Sequence, residues 1–117
     1  MAEISTSSRL RSHYEAYLKQ VNNVKTHNLD VYLASTILHN DRSLSQAQYH
    51  QLIHPGSVFT LLHLTVDIDQ IQVGARLRIE LKGGTVLSEF VFYQFDGEGR
   101  IERVWSMVQD MTTGEKY

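Results

Sequence analysis

Residues 59–81 read FTLLHLTVDIDQIQVGARLRIEL, and their period decides the class of fold. Thr60, Leu62, Leu64, Val66 and Ile68 alternate with Phe59, Leu61, His63, Thr65 and Asp67. Val73, Ala75, Leu77, Ile79 and Leu81 then alternate with Gly74, Arg76, Arg78 and Glu80. A step of two sends successive side chains to opposite faces of a strand, so the stretch predicts two strands whose faces differ in chemistry. Working outward, Gly83-Gly84 predicts a turn, and Thr85–Phe95, rich in Val, Phe and Tyr, predicts a third long strand. Asp96-Gly97-Glu98-Gly99 is a hairpin signal. Arg100 to Gln109 predicts the last strand, and a polar tail closes the chain from Thr112 onward.

The first half has a different period. Leu10, Tyr14, Tyr17, Leu18, Val21 and Val24 recur at steps of three and four, which predicts an amphipathic helix with Ser7 or Ser8 as its cap. A short second helix is expected over Leu29–Ala34, then an extended piece over Thr36–His39. A third helix is expected from Ser43 onward. Ser43 with Gln46, or Ser45 with Gln48, has the spacing of a capping box, and Pro55-Gly56 stops the helix. Helices followed by a run of antiparallel strands point to an α+β fold, with N-terminal helices packed on one antiparallel sheet.

Composition narrows the function. The chain has 117 residues, about the size of a single domain, with an ordered core expected over about 8–110. Eleven Lys and Arg against thirteen Asp and Glu, interleaved, leave no basic block for nucleic acid or for a membrane surface. With no cysteine, disulfide frameworks, thiolate metal sites and cysteine nucleophiles are excluded. No signal peptide is apparent in the first residues, and no stretch approaches the roughly 20 apolar residues of a membrane span. A cytoplasmic protein is therefore expected.

Several strings, in this order, carry a likeness: the apolar-His-Asn of residues 38–40, Arg-Ser-Leu-Ser at 42–45, Val-Gly-Ala-Arg-Leu at 73–77, Glu-Phe-Val-Phe-Tyr at 89–93, and Gly-Arg-Ile-Glu-Arg-Val-Trp-Ser at 99–106. The chain resembles the SnoaL-like branch of the nuclear transport factor 2-like superfamily over most of residues 8–110. The resemblance implies a cone-shaped α+β barrel, in which a strongly curved sheet wraps the helices and leaves an apolar pocket at the open end. It also implies a small apolar or aromatic natural-product ligand, no cofactor and no metal, and a homodimer formed through the sheet. Members include polyketide cyclases, isomerases, dehydratases and non-catalytic binding domains, so the fold alone does not choose a reaction. One departure stands out. The cyclases carry an acid at W-x-x-x-D, whereas Trp105 is followed at that spacing by Gln109, with Asp110 one residue on. A one-residue step reverses the face, so Asp110 is expected to point away from the pocket.

The candidate residues each have two readings. His63, in the run Phe59-Leu61-His63-Thr65, is either a desolvated acid/base in the pocket wall or a histidine on the outer or dimer face. Glu89, between apolar neighbours, is either a buried base that takes a proton next to a carbonyl or a structural partner of Arg76. Arg78 and Glu80 read as a solvated face, whereas the resemblance promotes Arg76 to oxyanion binding. Tyr93 shares the face of Glu89 at a step of two and is a candidate donor to a substrate oxygen. His39 follows Ile37 and Leu38 at the edge of the core, and the resemblance places it at the mouth of the cone. Asn40 reads as turn chemistry or as a substrate contact. Tyr49 and Trp105 complete the expected substrate contacts, although a large aromatic such as Trp105 also reads as core. His50 and His54 have a metal-binding step of four, yet no third ligand accompanies them. The expected catalytic set is thus His39, His63 and Glu89. The expected function is acid/base cyclisation, isomerisation or dehydration of a polyketide-type compound; the alternative is a binding or dimerisation module.

Overall fold

Thr6 starts the first helix. Its extended backbone lets the side-chain oxygen accept from the Arg9 amide at 3.1 Å, while Ser7 and Ser8 already lie inside the helix. The computed structural model describes residues 4–111, and the polar tail expected from Thr112 lies outside them. Helix α1 (Ser7–Val21) buries Leu10, Tyr14, Tyr17, Leu18 and Val21, the stripe its spacing predicts, together with His13. His13 Nε2 is hydrogen-bonded to the Gly99 carbonyl at 2.6 Å, tying α1 to the far hairpin.

Leu29–Ala34 does not form the second helix. A single 3-10 turn, Asp30–Tyr32, leads directly into strand β1 (Leu33–His39). A six-residue helix is poorly nucleated without packing to hold it. From Leu33 on, the chain instead pairs with strands on both sides. The third helix does not begin at Ser43 either. His39 pairs with Arg42 across a two-residue turn, in which Asn40 and Asp41 both take positive φ, 47° and 65°. Two positive φ values mark a type I′ hairpin, a turn that Asn and Asp tolerate. Strand β2 (Arg42–Ser45) follows, then helix α2 (Gln46–Gln51), capped by the Ser45–Gln48 box.

Strands β3 (Val58–Asp67), β4 (Gln72–Glu80), β5 (Val86–Phe95) and β6 (Ile101–Asp110) make the expected meander. The sheet order is β2-β1-β6-β5-β4-β3, with β1 and β6 parallel and the other neighbours antiparallel. The sheet curls, but its edge strands β2 and β3 do not pair, so the cone is open along one seam.

One irregularity rearranges the faces of β3. Leu61 pairs with Leu77 and His63 with Arg76, leaving Leu62 as an extra residue. An inserted residue reverses the alternation beyond it. Phe59 and Leu61 therefore share the inner face with Leu64 and Val66, opposite Ile79, Leu77, Ala75 and Val73. Strict alternation groups His63 with Phe59 and Leu61; the bulge sends His63 and Thr65 outward with Arg76 and Gly74.

The first half of α1 packs into the dense part of the cone. Leu10 and Tyr14 join Val73, Leu77, Val91, Phe95 and Ile101 in one apolar cluster almost free of solvent contact. Burying a side chain such as Leu77 stabilises the fold by roughly 2 kcal/mol. The second half of α1 faces a space that is not filled.

Candidate active site

That space is a cavity of about 280 Å³, bounded by α1, α2 and the inner face of the sheet. Leu18 and Val21 line it from α1, Leu52 and Ile53 from the segment after α2, and Ile79, Leu87 and Val108 from the strands. Its polar lining consists of Glu89, His39, His54, Ser57, Ser106 and the tyrosines Tyr17, Tyr49 and Tyr93.

Glu89 sits on β5, where its cross-strand partners Leu77 and Val108 mark the inner face. Burial holds its carboxyl above the ordinary carboxylate range, and the Ser106 hydroxyl, donating to Oε2 at 2.5 Å, offsets part of that rise. His39 ends β1, with Ile37 buried two residues earlier on the same side. Partial burial lowers its pKa and favours the neutral imidazole, while a backbone hydrogen bond acts weakly the other way. Its ring stands edge-on to Tyr49, with centroids 6.5 Å apart. The hydroxyls of Tyr49 and Tyr17 are bonded to each other at 2.7 Å. Burial pushes Tyr17, Tyr49 and Tyr93 well above the ordinary tyrosine range, so all three remain protonated. Tyr14, deeper in the core, lies against the Tyr93 ring at 5.2 Å; its hydroxyl is buried without a hydrogen bond of regular geometry.

The cavity thus unites His39, Glu89, Tyr49 and Tyr93 and leaves out other expected members. His63 is exposed on the outer face because of the β3 bulge, where Arg76 NH1 approaches its Nδ1 at 3.4 Å. Arg76 shares that outer face, opposite Phe90, so it neither faces the cavity nor pairs with Glu89. Trp105 also points outward: Val104, Ser106 and Val108 take the inner positions of β6, and the Arg103 guanidinium lies 4.6 Å from the Trp105 ring centre. Trp105 is half-exposed, neither core nor cavity wall. Asn40 lies outside the cavity lining and bonds instead to the Ser106 backbone. Gln109 faces outward opposite Ser88. Asp110 pairs with Leu87, which puts it on the inner side rather than the outer one expected, but at the exposed end of β6 beyond the cavity.

Four polar residues of the cavity lining, Tyr17, His54, Ser57 and Ser106, escape the sequence reading. Tyr17 reads as part of an apolar helix stripe, and nothing in the stripe distinguishes its hydroxyl. Ser106 has a recoverable signal: it is the one polar residue in the alternating set Val104-Ser106-Val108. His50 does not pair with His54; its Nε2 is bonded to Asp30 Oδ1 at 3.0 Å. Among the described residues, no group of three or more His, Cys, Asp or Glu is placed to hold a metal. No helix among them is long and apolar enough to cross a membrane.

The arrangement of helices and curled sheet as a whole is similar to that of many solved structures. The fold is the one seen in SnoaL-like and nuclear transport factor 2-like proteins. A SnoaL-like polyketide cyclase from Agrobacterium tumefaciens is similar at a TM-score of 0.76 and 24% identity, over 90% of this chain and 94% of that one. The epoxide hydrolase/cyclase-like enzyme SalBIII, described in pyran ring formation in the polyether salinomycin, is similar at a TM-score of 0.74 and 13% identity, over 91% of this chain and 95% of that one. A steroid delta-isomerase from Pseudomonas aeruginosa is similar at a TM-score of 0.66 and 13% identity, over 88% of this chain and 81% of that one. No family profile matches the sequence, and no curated protein matches it. The SnoaL-like likeness is thus one of fold, and the chemistry rests on the cavity.

Proposed function

We propose that this SnoaL-like protein is a small cofactor-independent enzyme that moves a proton next to a carbonyl of a polyketide-type compound, leading to cyclisation, isomerisation or dehydration. The observation that carries this reading is Glu89: a carboxyl in an apolar cavity, bonded to a single hydroxyl, with its pKa raised by burial. A base tuned upward in this way is matched to abstracting a weakly acidic carbon-bound proton. In the forward step the Glu89 carboxylate takes the proton, and negative charge moves to the carbonyl oxygen. Tyr93, and whichever hydroxyl of the Tyr17–Tyr49 pair accepts the bond between them and so keeps its own proton free, supply neutral donors for that oxygen. Neutral His39, on the same wall, accepts or relays a proton when the new bond or double bond forms. The cavity volume lies near the lower end of the range for small-molecule sites, which favours a one- or two-ring substrate.

The test is deuterium uptake. One- and two-ring aromatic β-diketones are incubated with the protein in D₂O, and exchange at the carbon next to the carbonyl is followed by NMR. Exchange above the buffer rate that is lost in Glu89→Gln supports the enzyme. Saturable binding with no exchange in either protein supports the second reading, a binding module. That reading has its own supporting observation, since the family's acidic position is taken by outward-facing Gln109.

The outer face of the sheet supports a homodimer. Phe90, Phe92 and Met107 are 57%, 56% and 75% exposed and adjoin one another across β5 and β6. Contiguous apolar surface of this kind marks an interaction site.

A further inference from the structure

We propose that Asn40 is a positioning residue for Glu89, acting through Ser106. The proposal rests on the reading of Glu89 as the proton-transfer group. β1 pairs with β6 as far as His39 opposite Val104, and the type I′ turn then carries the chain away. The Asn40 amide N–H still donates to the Val104 carbonyl at 2.9 Å. Beyond that point, among the described residues, no strand pairs with the edge of β6 facing β1. The Asn40 side chain fills the gap. Its Oδ1 accepts from the Ser106 N–H at 2.8 Å, and its Nδ2 donates to the Ser106 carbonyl at 3.1 Å. A primary amide offers the same donor and acceptor as a peptide unit, so the side chain extends the ladder by one step.

This clamp fixes the peptide whose side chain turns into the cavity. The Ser106 hydroxyl meets Glu89 Oε2, the bond that partly offsets the effect of burial. The residue type is set twice over. The turn needs a side chain that tolerates φ near 47°, and the clamp needs one acceptor and one donor on a short stem. Asp satisfies the turn and lacks the donor. Gly satisfies the turn and lacks both. Because His39 immediately precedes Asn40, the same clamp also holds the His39 end of β1 against the strand that carries Ser106.

The test uses the ligand-free protein and needs no substrate. The Glu89 side-chain carboxyl is followed by ¹³C NMR through a pH titration, and the Ser106 amide by hydrogen exchange. Ser106→Ala is expected to raise the Glu89 midpoint by about one pH unit, because a hydrogen bond to the charged form is lost. Ser106→Thr, which keeps the hydroxyl, stays near the wild type. Asn40→Gly keeps the turn, raises the midpoint in the same direction by a smaller amount, and speeds Ser106 amide exchange at least tenfold. Asn40→Asp shifts the midpoint in the same direction. An Asn40→Gly protein with the wild-type midpoint and wild-type Ser106 exchange overturns the proposal. So does a wild-type Ser106 amide that exchanges like an unbonded one, an observation that needs no variant. Failure of deuterium uptake would remove the enzyme and leave the clamp standing; an unmoved Glu89 midpoint would remove the clamp and leave the enzyme standing.

Discussion

Glu89 and Phe90 are neighbours on β5 and face opposite ways. The carboxyl points into the cone and is largely hidden, whereas the ring points out and is 57% exposed. The same inversion recurs on β6, where Ser106 faces the cavity and Met107, 75% exposed, faces outward. In an ordinary half-buried sheet the acid is outside and the ring inside. A buried carboxyl costs stability unless something uses it, and an exposed apolar patch costs solubility unless something covers it. Both departures fall on β5 and β6, back to back. By contrast, the β4 inner face is filled by Val73, Ala75, Leu77 and Ile79, and its outer face carries Arg76, Arg78 and Glu80, as elementary partitioning requires. The comparison separates β4, whose two faces partition conventionally, from the stretch of β5 and β6 that does not, on which the proposed ligand and the proposed second copy would act.

The sharpest attack on this division is Glu89→Gln. It removes the charge, keeps the shape and is expected to lower deuterium uptake by about a thousandfold, within the range of general acid/base catalysis, with an unchanged circular dichroism spectrum. A variant that retains wild-type uptake would reduce the inner face to structure. Next comes Phe90→Glu, placed at the centre of the apolar patch. Loss of an aromatic anchor of this kind weakens association by about 2 kcal/mol, roughly thirtyfold, read as a shift from dimer to monomer in sedimentation velocity. Unchanged sedimentation would leave the patch without a partner copy.

A smaller effect links the two faces to pH. The folded pKa of Glu89 is raised, so the native state keeps the proton longer than the unfolded chain. The stability contributed by this group is complete below the ordinary value of 4.5 and is lost as pH rises through the folded value. Urea midpoints of the wild type should fall across that window relative to Glu89→Gln, with a slope no steeper than about 1.4 kcal/mol per pH unit. His39 has the opposite sign. Its pKa is lowered, so its contribution is present above 6.5 and lost as pH falls, and it cancels in the comparison with Glu89→Gln. Smallest of all is Arg78→Ala on the outer face of β4. Its pair with Glu80 is half-exposed, and the urea midpoint should correspond to a loss of at most about 0.5 kcal/mol. A larger loss would show that the outer face of β4 is not the plain solvated surface described above.

How much was legible beforehand differs by residue. The meander from β3 to β6 and the turns at Gly83-Gly84 and Asp96–Gly99 follow from alternation and turn chemistry and need no knowledge of partners. That Glu89 and Tyr93 share one face follows too, because β5 is regular where they lie. His63 was not placeable. Its face depends on the extra residue at Leu62, and a bulge is a property of how two strands pair, invisible along one of them. Only the resemblance promotes Arg76, whereas plain alternation puts it beside Arg78 and Glu80. The same holds at 29–45, where short apolar runs fit a helix or a strand equally well. Pairing with β6 turned Leu33–His39 into a strand, and the type I′ turn at Asn40-Asp41 made Arg42–Ser45 its hairpin partner.

Local periodicity was enough to establish an α+β chain with one long amphipathic helix, four long strands, and Glu89 beside an apolar run, since each of these is written within a dozen consecutive residues. Which face became the cavity wall, that His39 and Glu89 share it while His63 does not, and that Asn40 reaches 66 residues ahead to the Ser106 peptide were settled by the packed molecule. Contacts between distant segments depend on strand register and sheet curvature, which arise only when the pieces compete to bury one common core.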